Sequence, residues 1–226
     1  MAKRGMVRLV LGVVLVAVLG AAVAVPAHAE TKKVRVTANR VVYQGPKGDT
    51  VVEGDVRIEY GESIITAPRA VVNMETKKAK ITGGVVLVKG DVRLSTDTLE
   101  TDFQKEVASA TGNVRLEKRE VQQEKDESGK PKVQVITMTC LALEISTETE
   151  DFTAKGSVAI MKDRQTATAD RAEYSSSRKS MILTGSVFVQ GAEKETIRCD
   201  RATFYTDREA VEAEGNPLEI TFEVRD

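Results

Sequence analysis

The chain has no tryptophan, a single histidine and two cysteines in 226 residues, and aromatics supply only 4%. The histidine, His28, falls in an apolar leader, so the rest of the chain has none. Histidine is the usual general base at neutral pH and the commonest metal ligand. Its absence argues against nucleophile–base triads and zinc sites, and no CxxC or similar metal spacing takes its place. No metal or cofactor is expected. An excess of one charge is also missing, with 33 Lys and Arg against 34 Asp and Glu. Nucleic-acid binders need a basic face, so that class is set aside. Past the leader, no window of eleven residues carries helical periodicity. What the chain does have is valine, threonine and isoleucine at alternate positions, the mark of strands with one buried face.

Residues 1–29 read as an export signal. Lys3, Arg4 and Arg8 form its basic part, Leu9–Val25 its apolar part, and Ala27-His28-Ala29 a small-x-small cleavage site. An uncleaved membrane anchor is the rival reading, because Leu9–Val25 is near the lower length for a span. Cleavage would leave residues 30–226 as a single exported domain carrying 30 basic and 34 acidic residues.

That domain is a repeat. A Gly-x-(Val/Pro) step recurs at Gly54, Gly83, Gly112, Gly156, Gly185 and Gly215. The spacing is 29 or 30 residues, except for 44 between Gly112 and Gly156, which a 15-residue charged insertion near 119–132 accounts for. Apolar residues stand two and four places after the first five glycines. A second aligned position (Asn39, Pro68, Asp97, Leu141, Asp170, Asp200) is also followed at two and four places by a mostly apolar pair. Self-similarity at fixed period marks stacked supersecondary units. Glycine inside a strand marks a bulge, bend or close backbone approach. Each unit is therefore predicted to be a bent antiparallel hairpin. The expected fold is all-β: an open jellyroll, or flattened stack of two facing sheets.

Three features carry expectations of their own. Cys140 and Cys199 lie two repeats apart, about 9–10 Å if each repeat is one layer, too far for a disulfide; two free thiols are expected. Asp97, Asp170 and Asp200 are the candidate acids of an enzyme, but recurrence at one repeat position suggests structural roles at a bend. Gln122–Lys132 is expected to be a solvated hairpin tip, with a docking loop as the alternative.

The Gly-x-Val steps (Gly54-Asp55-Val56, Gly112-Asn113-Val114, Gly156-Ser157-Val158, Gly185-Ser186-Val187) and the motifs Thr66-Ala67-Pro68-Arg69-Ala70, Ala169-Asp170-Arg171-Ala172 and Cys199-Asp200-Arg201-Ala202 resemble the LptA/OstA family over residues 37–220. The resemblance implies a periplasmic, non-enzymatic bridge that carries lipopolysaccharide or another acylated envelope lipid between membranes. It also implies end-to-end self-association, an LptC-like partner at the inner membrane and an LptD-like jellyroll at the outer one. A membrane-anchored LptC-like protein and an edge-to-edge scaffold with a solid core are the alternatives.

The interior positions expected to face the lipid are Val56, Ile58, Ala70, Val72, Val85, Leu87, Ala110, Val114, Leu116, Leu143, Ile145, Ala154, Val158, Ile160, Ala172, Tyr174, Leu183, Val187 and Val189. Small residues such as Ala70, Ala79, Ala108, Ala110, Ala154, Ala172, Ala202 and Ala213 leave either a slot for acyl chains or a line where the sheets approach closely.

Overall fold

The computed structural model describes residues 34–45, 48–125, 129, 131–208 and 210–223; the leader lies outside them. Among the described residues there is no helix. The chain forms β1 (Val34–Thr37), β2 (Arg40–Tyr43), β3 (Asp49–Tyr60), β4 (Ser63–Asn73), β5 (Lys78–Lys89), β6 (Val92–Asp102) and β7 (Val107–Lys125). There follow β8 (Pro131–Ser146), β9 (Phe152–Lys162), β10 (Gln165–Ser175), β11 (Ser180–Gln190), β12 (Thr196–Tyr205), β13 (Val211–Glu214) and β14 (Glu219–Thr221). They make one antiparallel sheet in which β3 to β12 pair in chain order. At one edge β1 and β2 both pair with β3; at the other β13 and β14 both pair with β12.

Every strand from β3 to β12 is bent once, and the ladder register shifts at each bend. In β3, β7, β9 and β11 the bend is a glycine with positive φ followed by a second positive-φ residue: Gly54-Asp55, Gly112-Asn113, Gly156-Ser157 and Gly185-Ser186. Two left-handed residues in a row turn the strand sharply, and glycine takes the first such place at low steric cost. The opposite strand also demands glycine. A Cβ on Gly185 would stand 2.3 Å from Asp170 Oδ2, and one on Gly112 would stand 2.4 Å from Asp97 Oδ2.

The bends align into a fold line that divides the sheet into two arms. The first arm holds β2, Asp49–Glu53, Arg69–Asn73 and their successors; the second holds β1, Val56–Tyr60, Ser63–Ala67 and theirs. The inward residues of both arms belong to one buried cluster. With no other element among the described residues to cover them, the arms close on one another, greasy face to greasy face. The outer faces carry charged cross-strand pairs such as Lys80–Glu100 and Arg40–Glu53–Arg69. Exposed pairs of this kind favour solubility more than stability.

The structure corrects two expectations. The charged insertion is largely strand: β7 and β8 stay paired through Val121↔Val133 and Lys125↔Pro131. The ladder continues past the core because the two strands go on pairing with one another, with an irregularity between Val121 and Lys125. Residues 126–128 and 130, at the expected tip, lie outside the described residues. Second, each repeat supplies two strands rather than one layer. Cys140 on β8 and Cys199 on β12 are therefore four strand steps apart, about 19 Å at ~4.8 Å per step. Both are free and buried.

Candidate functional site

Cross-strand register shows how the two arms are lined. In the first arm, Val41, Val52, Ala70, Ile81, Leu99, Ala110, Leu143, Ala154, Ala172, Leu183, Ala202 and Ala213 pair in unbroken succession from β2 to β13. In the second arm, Val36, Ile58, Ile65, Leu87, Leu94, Leu116, Met138, Ile160, Ala167, Val189, Ile197 and Ile220 do the same from β1 to β14. No polar residue interrupts either row. Both arms therefore carry an apolar track from one edge of the sheet to the other.

Sixteen of the nineteen predicted interior positions are fully buried. Leu87 and Ile145 are partly buried against the same cluster, and Val72 is half-buried near the margin of the first arm. The interior is closed. Ala70, Ala154, Ala172 and Ala202 are at 0% exposure. A cavity of about 10 Å³, lined by Leu116, Lys118, Ile136, Met138, Phe152, Ile160 and Met181, has room for roughly one water. The buried polar Thr96 is satisfied, its one hydroxyl proton having the carbonyl oxygens of Thr111 (2.9 Å), Gly112 (3.1 Å) and Thr98 (3.2 Å) as alternative acceptors.

Sequence reasoning missed Ile65, Leu94, Met138, Ala167 and Ile197, all buried in the second arm. Each stands three places before an aligned position (Pro68, Asp97, Leu141, Asp170, Asp200), whereas the counted residues stand two and four places after it. The extra residue at the bulge switches the phase of alternation, so a count of constant parity passes over them. The same switch turns Cys140 and Cys199, one place before the bend, into the core. Burial pushes the Cys140 thiol up to about 11, against backbone hydrogen bonds from Ala142 and Lys155 that favour the thiolate. Burial raises Cys199 as well.

The three candidate acids are spread along the fold line on β6, β10 and β12. Asp97 Oδ2 accepts a hydrogen bond from Asn113 Nδ2 at 2.9 Å, and Asp200 Oδ2 accepts one from the Asn216 backbone N–H at 3.0 Å. Asp170 lies over Gly185. They sit at separate bends and do not converge as an acid pair would.

Opposite the fold line is a mouth, rimmed by the hairpin turns of both arms. There Tyr60, at the end of β3, meets Phe103, just after β6, with ring centroids 5.9 Å apart. Lys89 Nζ, at the end of β5, reaches Glu150 Oε1, in the turn before β9, at 3.1 Å. In both contacts a second-arm strand end meets a first-arm turn later in the chain, an offset in keeping with the twist of a folded sheet.

The family model described as "LptA/(LptD N-terminal domain) LPS transport protein" matches residues 64–210, more than half of the chain. Among solved structures, the chain is similar to LptH, the LptA-homologous periplasmic component of the conserved lipopolysaccharide transport device from Pseudomonas aeruginosa. Identity is 15%, the match covers 85% of this chain and 96% of that one, and the TM-score is 0.27. No curated protein matches.

Proposed function

Because the chain belongs to the LptA/(LptD N-terminal domain) lipopolysaccharide transport protein family, we propose that it is an exported, periplasmic bridge. It carries the acyl chains of lipopolysaccharide or a related envelope lipid between membranes without chemistry. The observation that carries this reading is the pair of apolar tracks running from edge to edge. An acyl chain of about 12–14 carbons exposed to water costs about 10 kcal/mol at ~0.8 kcal/mol per methylene. A multi-chain lipid crossing an aqueous compartment therefore needs unbroken apolar cover, which the interior positions Val56 through Val189 supply once the arms part.

Both ends of each track surface at an open edge. Val36 and Val41 are exposed on β1 and β2, and Ile220 and Phe222 are exposed at and just beyond β14. Strands β1 and β2 run against β3, whereas β13 and β14 run with it. A second copy can therefore set its β14 and β13 against β1 and β2 in antiparallel register, joining both tracks across the junction. The same edges suit jellyroll partners of LptC and LptD type at the two membranes, with residues 1–29 acting as a cleaved export signal.

The closed interior favours a second reading, a scaffold that assembles edge to edge around a solid core. Mass spectrometry of protein purified without detergent separates the two. Co-purified acylated lipid in stoichiometric amount is expected. Protein that stays lipid-free even after incubation with lipopolysaccharide overturns carriage in favour of the scaffold.

A further inference from the structure

Acyl chains have no room where the seam's alanines are at 0% exposure, and the cavity beside Phe152 and Met181 holds only about 10 Å³. If the molecule carries lipid, as proposed above, the arms must separate. The ladder shows where. All backbone pairing runs along an arm, and the register breaks at every bend from Glu53/Val56 to Thr184/Val187. The fold line is thus a row of interrupted ladders, with left-handed glycines at Gly54, Gly83, Gly112, Gly156 and Gly185. Hinges are built from a few residues that absorb backbone rotation. On the far side, the arms are joined by side chains. The rings of Tyr60 and Phe103 meet at the rim, and Lys89 pairs with Glu150. The spacing along β5 (Val85, Leu87, Lys89) places Lys89 on the inward-facing side of its strand, and Glu150 meets it from the turn that leads into β9.

We propose that the fold line is a hinge and that Tyr60–Phe103 and Lys89–Glu150 are a latch across the mouth, so that lipid is admitted sideways between the arms. Because the latch joins strands far apart in the chain, releasing it frees the rim while leaving every strand pair intact. Parted arms expose the apolar tracks, and an arriving acyl chain supplies the burial that the closed arms supplied to one another.

The test is a reversible tether. In a Lys89→Cys/Glu150→Cys chain the two long side chains set the backbones too far apart for a disulfide, so a reducible bismaleimide spans them. Uptake of cis-parinaric acid, a fluorescent fatty acid, and of purified rough lipopolysaccharide is then followed. Controls are the same chain with each thiol singly capped and the wild-type chain carried through the same treatment. We expect the tether to slow uptake about tenfold or more, as for a lid held closed, and reduction to restore it. The charge reversal Glu150→Lys should speed uptake about two- to fivefold, the size of a part-exposed ion pair. A tethered chain that loads as fast as its singly capped control overturns the latch and leaves carriage standing. A chain that takes up lipid in no form overturns carriage, and the latch with it.

Discussion

At the scale of single residues, the fold depends on what fits at a bend and what fits between the arms. Gly185 has φ +77 and the Asp170 carboxylate against it, so Gly185→Ala should cost about 1–3 kcal/mol. Urea unfolding measures this, and Asp170→Gly in the same chain should recover part of the loss. Gly61, with φ +56 and open space, should cost only about 1 kcal/mol on the same change. Inside the seam, Leu183→Ala should cost about 2–5 kcal/mol through the cavity it leaves. Its pair partner Ala172, at 0% exposure, should lose about 1–3 kcal/mol on enlargement to Leu. The Cys140 thiol gives a pH signature. Its folded value of about 11 lies above the ordinary thiol value of 9.0, so the native state holds the proton more tightly than the unfolded chain does. Stability from this site is fully present below pH 9.0, falls as pH rises and is lost by about 11. Cys140→Ala should flatten the stability–pH curve in that window.

At the scale of elements, the alternation of the chain made the strands, bends and inward faces readable. Gly54, Gly112, Gly156 and Gly185 keep the same inward parity on both sides, so Val52, Val56 and Ile58 could be assigned to one face by counting. The returning strands hid half their core, because the bulge beside Pro68 or Asp97 changes the phase and takes Ile65 and Leu94 out of the count. Nor could the facing of Lys89 with Glu150 be read, since it depends on how far the sheet twists before folding over. The β7–β8 extension is separable from this core. Lys118↔Ile136 occupies the ladder position that Lys89↔Val92 holds before the two-residue turn of β5–β6. Beyond it Val121 and Val133 are exposed. Replacing residues 119–135 with Gly-Asp should therefore leave the β circular dichroism unchanged and move stability by about 1 kcal/mol or less.

At the scale of the whole molecule, the open edges decide how copies meet. Val41→Glu or Ile220→Lys should leave unfolding unaltered, because both residues are exposed, while shifting light-scattering mass toward the monomer. Either change puts an unpaired charge where a neighbour's apolar track must continue.

The ten long strands from β3 to β12 have one more implication, for how such a chain can lengthen. Their number is even, so the last strand points opposite to the first, and the terminal β13 and β14 are left running against β1 and β2. Gain or loss of a single strand would reverse one terminus, and a docking copy would arrive with its amide and carbonyl groups in the wrong phase. Viable changes of size should therefore come in whole pairs of strands, one 29-residue period at a time. The spacing seen between Gly54, Gly83 and Gly112 is then the smallest increment by which the span can be tuned without closing off its ends.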